Sequence, residues 1–329
     1  MSLLQKRYLS ALPRPDLLLR ANQKPLLVAA GLAVAATPLL AYAWTCYREW
    51  LTLGRGGPPY NVLGWLAQAL MQPFARRDTR VPVPPPYRTA ADVAAALYPS
   101  SGSAATRSYL AAWARGRRRS GDRPGVPTFV APQRQATEKG GEEGVRRQKA
   151  FLAALARANP GLFEMRDSGL EGPLHQALFL RSFPSSSSSS TSTSSSSPSS
   201  TTASATKTDE EEAKKKKKEK EAKDLELRTR LGRGTRGEFA HVHGEGSTHV
   251  TVSAADAAAL IGGGWAERHK LSGVGGRRAM IPFGYVLIYA PRRGEGEDGE
   301  DEFEFWKEVV VAGARYAAEG GGVEVVVPE

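Results

Sequence analysis

The stretch from Phe239 to Val252 leaves this chain few folds to adopt. It reads Phe-Ala-His-Val-His, then Gly244-Glu-Gly246, then Ser-Thr-His-Val-Thr-Val. Two alternating runs around a short glycine-containing loop specify an antiparallel hairpin. In that register His243 faces Ser247 and His241 faces His249. Successive strand side chains point to opposite faces, so Phe239, His241, His243, Ser247, His249 and Thr251 are expected on one surface. Ala240, Val242, Thr248, Val250 and Val252 make the other, more apolar surface, which builds core. Four of the five histidines (His241, His243, His249 and His269) fall within 29 residues, and His175 is the fifth.

Periodicity around the hairpin predicts strands at 237–243, 247–252, 284–290 and 323–327, with helices at 254–261 and 303–318. Ser253 is a good N-cap with Asp256 three residues on, and Gly262-Gly263-Gly264 ends that helix. Upstream, helices are expected at 90–98, 106–115 and 145–158, followed by a strand pair at 162–166 and 176–183. This order predicts an α+β fold, a mainly antiparallel sheet with packed helices, preceded by one N-terminal transmembrane helix.

The expected membrane helix is the uncharged run Pro25–Tyr47. At about 1.5 Å per residue it spans roughly 30 Å, and Tyr42, Trp44 and Tyr47 sit at its far end as an aromatic belt would. Ala41-Tyr42-Ala43 would also suit signal-peptide cleavage, but the apolar run is longer than a usual signal core. The expectation is a retained single-pass anchor in the ER or another endomembrane. A basic tail, 1–24, precedes it on the cytoplasmic side.

Residues 48–160 then read as a membrane-proximal helical region with an Arg/Pro-rich loop. Within it Val62, Leu63, Leu66, Ala69 and Leu70 recur at helical spacing, as a core helix rather than one lying in the membrane interface. Residues 161–329 form the α+β domain, interrupted by a disordered insert at 184–224. Its first half, 184–206, contains only Ser, Thr, Ala and Pro, and Lys207–Asp224 holds eight Lys and seven acids. Neither half buries enough apolar surface to offset ordering entropy, although the Lys/Glu half suits a solvated helix.

Charge excludes a nucleic-acid role. The net +11 resides in residues 1–24, with five Lys/Arg and one Asp, and in residues 107–149, with eleven Lys/Arg and four acids. Stacking aromatics are not interleaved with that basic run. The single Cys46 excludes a disulfide scaffold and a Cys-based zinc site. Gly273–Gly276 before Arg277-Arg278 lacks phosphate-loop spacing. Ser168, Glu171 and His175 lack a nucleophile elbow.

Three readings fit the histidine face: a substrate pocket with imidazoles as general bases, a metal site of His-x-His plus a third His, or a structural cluster. Glu245, at the hairpin tip, is expected to face solvent, which counts against a metal. Trp265 and Arg268, beside His269, suit an aromatic or anionic ligand.

The ordered set Phe239-Ala-His-Val-His, Ser247-Thr-His-Val, Asp256-Ala, Gly264-Trp, Arg268-His269 and Leu287-Ile-Tyr-Ala-Pro-Arg292 resembles the fungal luciferase domain family over residues 237–320. A weaker echo lies in Ser168…Glu171…His175, and Gly56-Gly-Pro-Pro-Tyr-Asn61 fits the family layout. Luminous members oxidise 3-hydroxyhispidin, a hydroxypyrone, with O2, releasing carbon dioxide and light with no known metal or flavin. The resemblance therefore implies a membrane-anchored, cofactor-independent oxygenase acting on a small enolisable substrate. His241, His249, His243 and His269 are the expected catalytic residues, and Arg268, Trp265, Tyr289 and His175 the expected substrate contacts. The alternatives are a non-catalytic ligand- or partner-binding protein and an iron oxygenase. Ala266 stands where the family has Gly and Lys270 where it has Pro, and these departures count against light emission more than against oxygen chemistry.

Overall fold

The computed structural model describes residues 15–98, 104–182, 207–292, 297–319 and 322–329. The chain divides into two units, Met1–Gly54 and Arg55–Glu329.

The first unit holds helix α1, Pro15–Leu51, within which the expected transmembrane segment falls. Its first fourteen residues, and the side chains of 15–27 and Ala30, lie outside the described residues. Among the described residues no helix is long and apolar enough to cross a membrane.

In the second unit the described helices are α2 (Val62–Met71), α3 (Ala90–Leu97), α4 (Glu142–Ala158), α5 (Lys207–Leu231), α6 (Ala254–Gly262) and α7 (Glu297–Ala318). The strands are β1 (Phe163–Ser168), β2 (Gly172–Leu180), β3 (Glu238–Val242), β4 (Thr248–Thr251), β5 (Ala266–Arg268) and β6 (Tyr285–Ile288). They form one antiparallel sheet in the order β1-β2-β3-β4-β6-β5, as the α+β expectation required. Pairing of His241 with His249 and of Val242 with Thr248 gives the hairpin the register read from sequence. Ser253 Oγ accepts the Asp256 N–H at 3.0 Å and caps α6.

Helices α4 and α7 cover one face of the sheet. Leu152, Leu155, Leu178, Val242, Val250 and Trp306 are all buried in that core. At Gly313 of α7 a Cβ would press on Val250 and the Thr251 carbonyl, so glycine there permits the helix–sheet approach.

Several expectations are corrected. Residues 106–115 form turns, not a helix. Asp256 Oδ2 accepts the Tyr109 N–H at 2.9 Å, and Glu308 accepts the Ala111 N–H at 2.7 Å, so distant carboxylates take the donors a helix would use. The expected strand at 323–327 is replaced by one side-chain clasp, in which Asn159 donates to the Val326 carbonyl and accepts its N–H. Residues 183–206 lie outside the described residues. The Lys/Glu half of the expected disordered insert is instead part of α5. Pairs such as Glu212–Lys216, 2.7 Å apart at i,i+4, support a helix with no apolar face.

Helix α2 faces the other way from the core reading. It buries Gly64 and Gln68 and leaves Leu63 68% and Leu70 75% exposed. A Cβ at residue 64 would overlap the Pro59 carbonyl, and Gln68 Oε1 accepts the Val130 N–H at 3.2 Å. A close backbone approach and an amide hydrogen bond, rather than hydrophobicity, choose the inward side.

Candidate functional site: an imidazole face under a loop

The second face of the sheet gathers all five histidines of the chain. Ring centroids lie 5.0 Å apart for His241–His243, 5.3 Å for His241–His249, 4.9 Å for His243–His249, 5.4 Å for His249–His269 and 6.4 Å for His175–His243. His241 and His243 are fully buried, and His249, His269 and His175 nearly so. Strand β2 brings His175, β3 and the following residue bring His241 and His243, β4 brings His249, and the end of β5 brings His269. Tyr285 of β6 stacks on His249, with centroids 4.6 Å apart.

A bulge changes one member of this face. Leu178 pairs with Ala240 but Phe179 pairs with Glu238, so β3 carries one extra residue, Phe239. Such an insertion rotates the strand locally. Phe239 therefore joins the helix-covered core beside Phe163 instead of the histidines. Glu238 takes its place, with Oε1 2.6 Å from His241 Nδ1. The same carboxylate accepts from Ser168 Oγ at 2.9 Å and from the Gly169 N–H at 2.8 Å.

Glu245 is also misplaced by the sequence reading. The turn closes with Gly246 at φ +95°, a left-handed conformation suited to glycine. Glu245 folds back to accept the Ser247 hydroxyl and, at 3.2 Å, the Gln135 N–H. Ser247 Oγ in turn lies 2.9 Å from His243 Nδ1. Burial pushes the Glu245 carboxyl up, but the His243 ring and the hydrogen bonds outweigh it and bring it to about 2.

Electrostatics separate the five rings. Burial opposes protonation of His241, yet the Glu238 hydrogen bond and charge raise its pKa above the ordinary value. Burial depresses His243 and His175, and takes His269 down to about 4. His249 falls well below its ordinary value through burial and then the neighbouring rings. His241 is thus the one ring of the five whose pKa is raised.

Residues 133–135 of the Arg/Pro-rich loop tie together the turns around this face. Gln133 Nε2 donates to Glu267 at 3.1 Å and to the Arg268 carbonyl at 3.2 Å. Arg134 pairs with Glu171 at 2.5 Å, and Glu171 lies 3.9 Å from His243 Nε2. Burial raises the Glu171 carboxyl, but His243 and then Arg134 hold it below the ordinary range. A Cβ at Gly56 would overlap both members of the Arg134–Glu171 pair, which explains the glycine in the Gly-Gly-Pro-Pro run. The loop's own composition does not signal this role; only tertiary packing reveals it.

Two of the expected substrate contacts, Trp265 and Arg268, are committed elsewhere. Trp265 stacks on Phe305 at 4.0 Å and donates Nε1–H to the Arg117 carbonyl at 2.9 Å, as a core anchor. Arg268 pairs across the sheet with Val286, on the opposite face from His249, and donates at 2.8 Å to the carbonyls of Phe283 and Pro82. Alternation along β5 dictates this: its two neighbours, Glu267 and His269, take the imidazole side. Tyr289 donates to Glu267 at 3.1 Å. The expected contact His175 does lie in the cluster.

Residues 236–312 match the family model described as Luciferase domain. The chain carries a luciferase-domain segment. No curated protein and no solved structure matches the chain. The luciferase-domain segment begins just before β3 and ends within α7, so it contains Glu238, Glu245 and four of the five histidines. His175, Glu171 and Arg134 come from outside it, and the complete imidazole face exists only with those neighbouring elements folded around the segment.

Proposed function

We propose that this protein is a membrane-associated, luciferase-like enzyme that oxidises a small, enolisable aromatic-type substrate with O2 at the imidazole face. The observation that carries the reading is the buried Glu238–His241 pair inside the luciferase-domain segment. Glu238 holds the Nδ1–H of His241 and leaves Nε2 to take a proton from the substrate, with the resulting imidazolium stabilised by the carboxylate. The enolate so formed is the electron donor to O2. Because the rings are buried, substrate entry requires residues 133–135 to move, and their return would exclude water.

Two further features support the reading. A cavity of about 700 Å³ is lined by residues that include Gln72, Arg76, Arg77, Thr128 and Lys270, the residue that follows His269 in the chain, and its basic side chains suit an anionic substrate. Helix α1 leaves Val28, Leu32, Val34, Leu39 and Leu40 62–74% exposed, and α2 leaves Leu63 and Leu70 exposed. Apolar surface of this extent suits a membrane.

The test is O2 uptake by the full-length protein in lipid nanodiscs with 3-hydroxyhispidin, with a photon counter on the same cell. Uptake lost in His241→Ala, with the circular dichroism spectrum retained, is the expected result. Saturable substrate binding without O2 consumption would overturn the enzymatic reading in favour of a binding protein.

A further inference from the structure

The tautomers of His241 and His243 are set by their outer partners. Glu238 accepts from His241 Nδ1, across 2.6 Å. Ser247 spends its hydroxyl proton on Glu245, so its oxygen accepts the Nδ1–H of His243 at 2.9 Å. Both rings are left with an Nε2 lone pair, and those two nitrogens face each other at 3.2 Å. Two lone pairs at that distance repel unless an electrophile lies between them. Two imidazole nitrogens on one tetrahedral ion at about 2.0–2.1 Å would be roughly 3.4 Å apart.

A shared proton would also reconcile this pair, but it would not account for the third ring. His249 presents a ligand atom within 4.8 Å of those of His241 and His243. It is buried, and its Nδ1 has no hydrogen-bond partner. The Glu171 carboxylate, 3.9 Å from His243 Nε2, stands within reach of a fourth position. Carboxylate or hydroxyl partners on the outer nitrogen are the usual support for a metal-ligating histidine.

We propose that His241, His243 and His249 bind one divalent first-row transition-metal ion, with Glu238 and the Ser247–Glu245 pair as its outer support and Glu171 as the nearest carboxylate for a fourth position. This replaces the expectation of a metal-free site and rests on the same imidazoles as the proposed oxidation: with the ion bound, His241 Nε2 is a ligand and not the base, and acidifying the substrate would fall to the ion as a Lewis acid; the ion is testable without any substrate. Three neutral imidazoles with an oxygen donor suit iron, cobalt, nickel, copper or zinc rather than magnesium or calcium.

The experiment is a titration of the full-length protein, purified without a His tag and stripped with chelator, with Co2+ followed by visible absorption and with Zn2+ followed by calorimetry. Binding of one ion per chain, with the cobalt d–d bands of a nitrogen-rich site, is expected, and both signals should vanish in His249→Ala. Glu238→Gln, which keeps shape and an acceptor oxygen, should weaken binding about 10- to 100-fold. Absence of one-to-one binding, or cobalt bands unchanged in His249→Ala, would overturn the site. Oxygen uptake intact in protein that shows no one-to-one binding would remove the ion and leave the oxidation; a bound ion without oxygen uptake would do the reverse.

Discussion

On one face of the sheet Val242, Val250, Val286 and Ile288 are buried in the core that α4 and α7 complete; on the other, Glu238, His241, His249 and Tyr285 are buried with the polar loop at 133–135 tied to the surrounding turns. Both sets are essentially inaccessible. The first is stabilised by transfer of apolar surface out of water, about 25 cal/mol per Å². The second buries groups whose desolvation is unfavourable unless each finds a partner. A chain needing only stability would have placed valine and leucine on both faces. On the proposed reading the imidazole face is kept for chemistry, and its pairing offsets the penalty of keeping it.

If that contrast holds, the helix-covered face should yield the largest loss of stability. Trp306 is buried against Phe151 and Phe303, with its Nε1–H on Thr248 Oγ1 at 2.9 Å. Trp306→Ala should cost about 3–5 kcal/mol, read as a lower urea midpoint at unchanged slope. A loss below about 1 kcal/mol would mean that this face is not the core.

Next in size is Glu238→Ala. It would leave His241 Nδ1, Ser168 Oγ and the Gly169 N–H without their acceptor, but the space vacated by the side chain admits water to them, so the cost should be about 1–3 kcal/mol, that of one unmet buried group. Oxygen uptake should fall as well. Stability lost together with uptake is what distinguishes a residue serving both pairing and chemistry.

His249→Leu sharpens the comparison from the other side. Leucine approximates the ring's volume and packs on Tyr285, and the lost Nδ1 had no hydrogen-bond partner. The change in unfolding free energy should stay within about 1.5 kcal/mol in either direction, while Co2+ binding and uptake disappear. A loss comparable to that of Trp306→Ala would make His249 a structural residue.

Local rules in the sequence carried the hairpin a long way. The Gly-Glu-Gly loop determined the register that brings His241 opposite His249, and the Ser253 cap placed the start of α6. Errors began where one segment's geometry depends on another. The extra residue at Phe239 is defined only against β2, so alternation alone put the phenylalanine among the histidines and missed Glu238. Strand β5 has three residues, too few for periodicity to register, so Arg268 was read toward the site when it points away. Arg134 is a loop residue in a Pro/Arg-rich stretch, and nothing local signals that its partner is Glu171.

The smallest expected effect on stability belongs to α2, where the contrast between the two sheet faces finds its inverse: a polar glutamine faces inward and leucines face outward. Leu70, 75% exposed, is replaced by Glu with a change in unfolding free energy within about 0.5 kcal/mol, since surface substitutions away from special features rarely do more. If the outward leucines meet lipid, the effect appears elsewhere. A fluorophore attached at Leu66→Cys in a Cys46→Ser background should shift to the blue with vesicles containing anionic lipid, and Leu70→Glu should abolish the shift. Because Leu70→Glu leaves α1 unchanged, loss of the shift in that variant assigns the signal to α2. An unshifted spectrum in the parent protein would make the apolar face of α2 a surface for something other than a membrane.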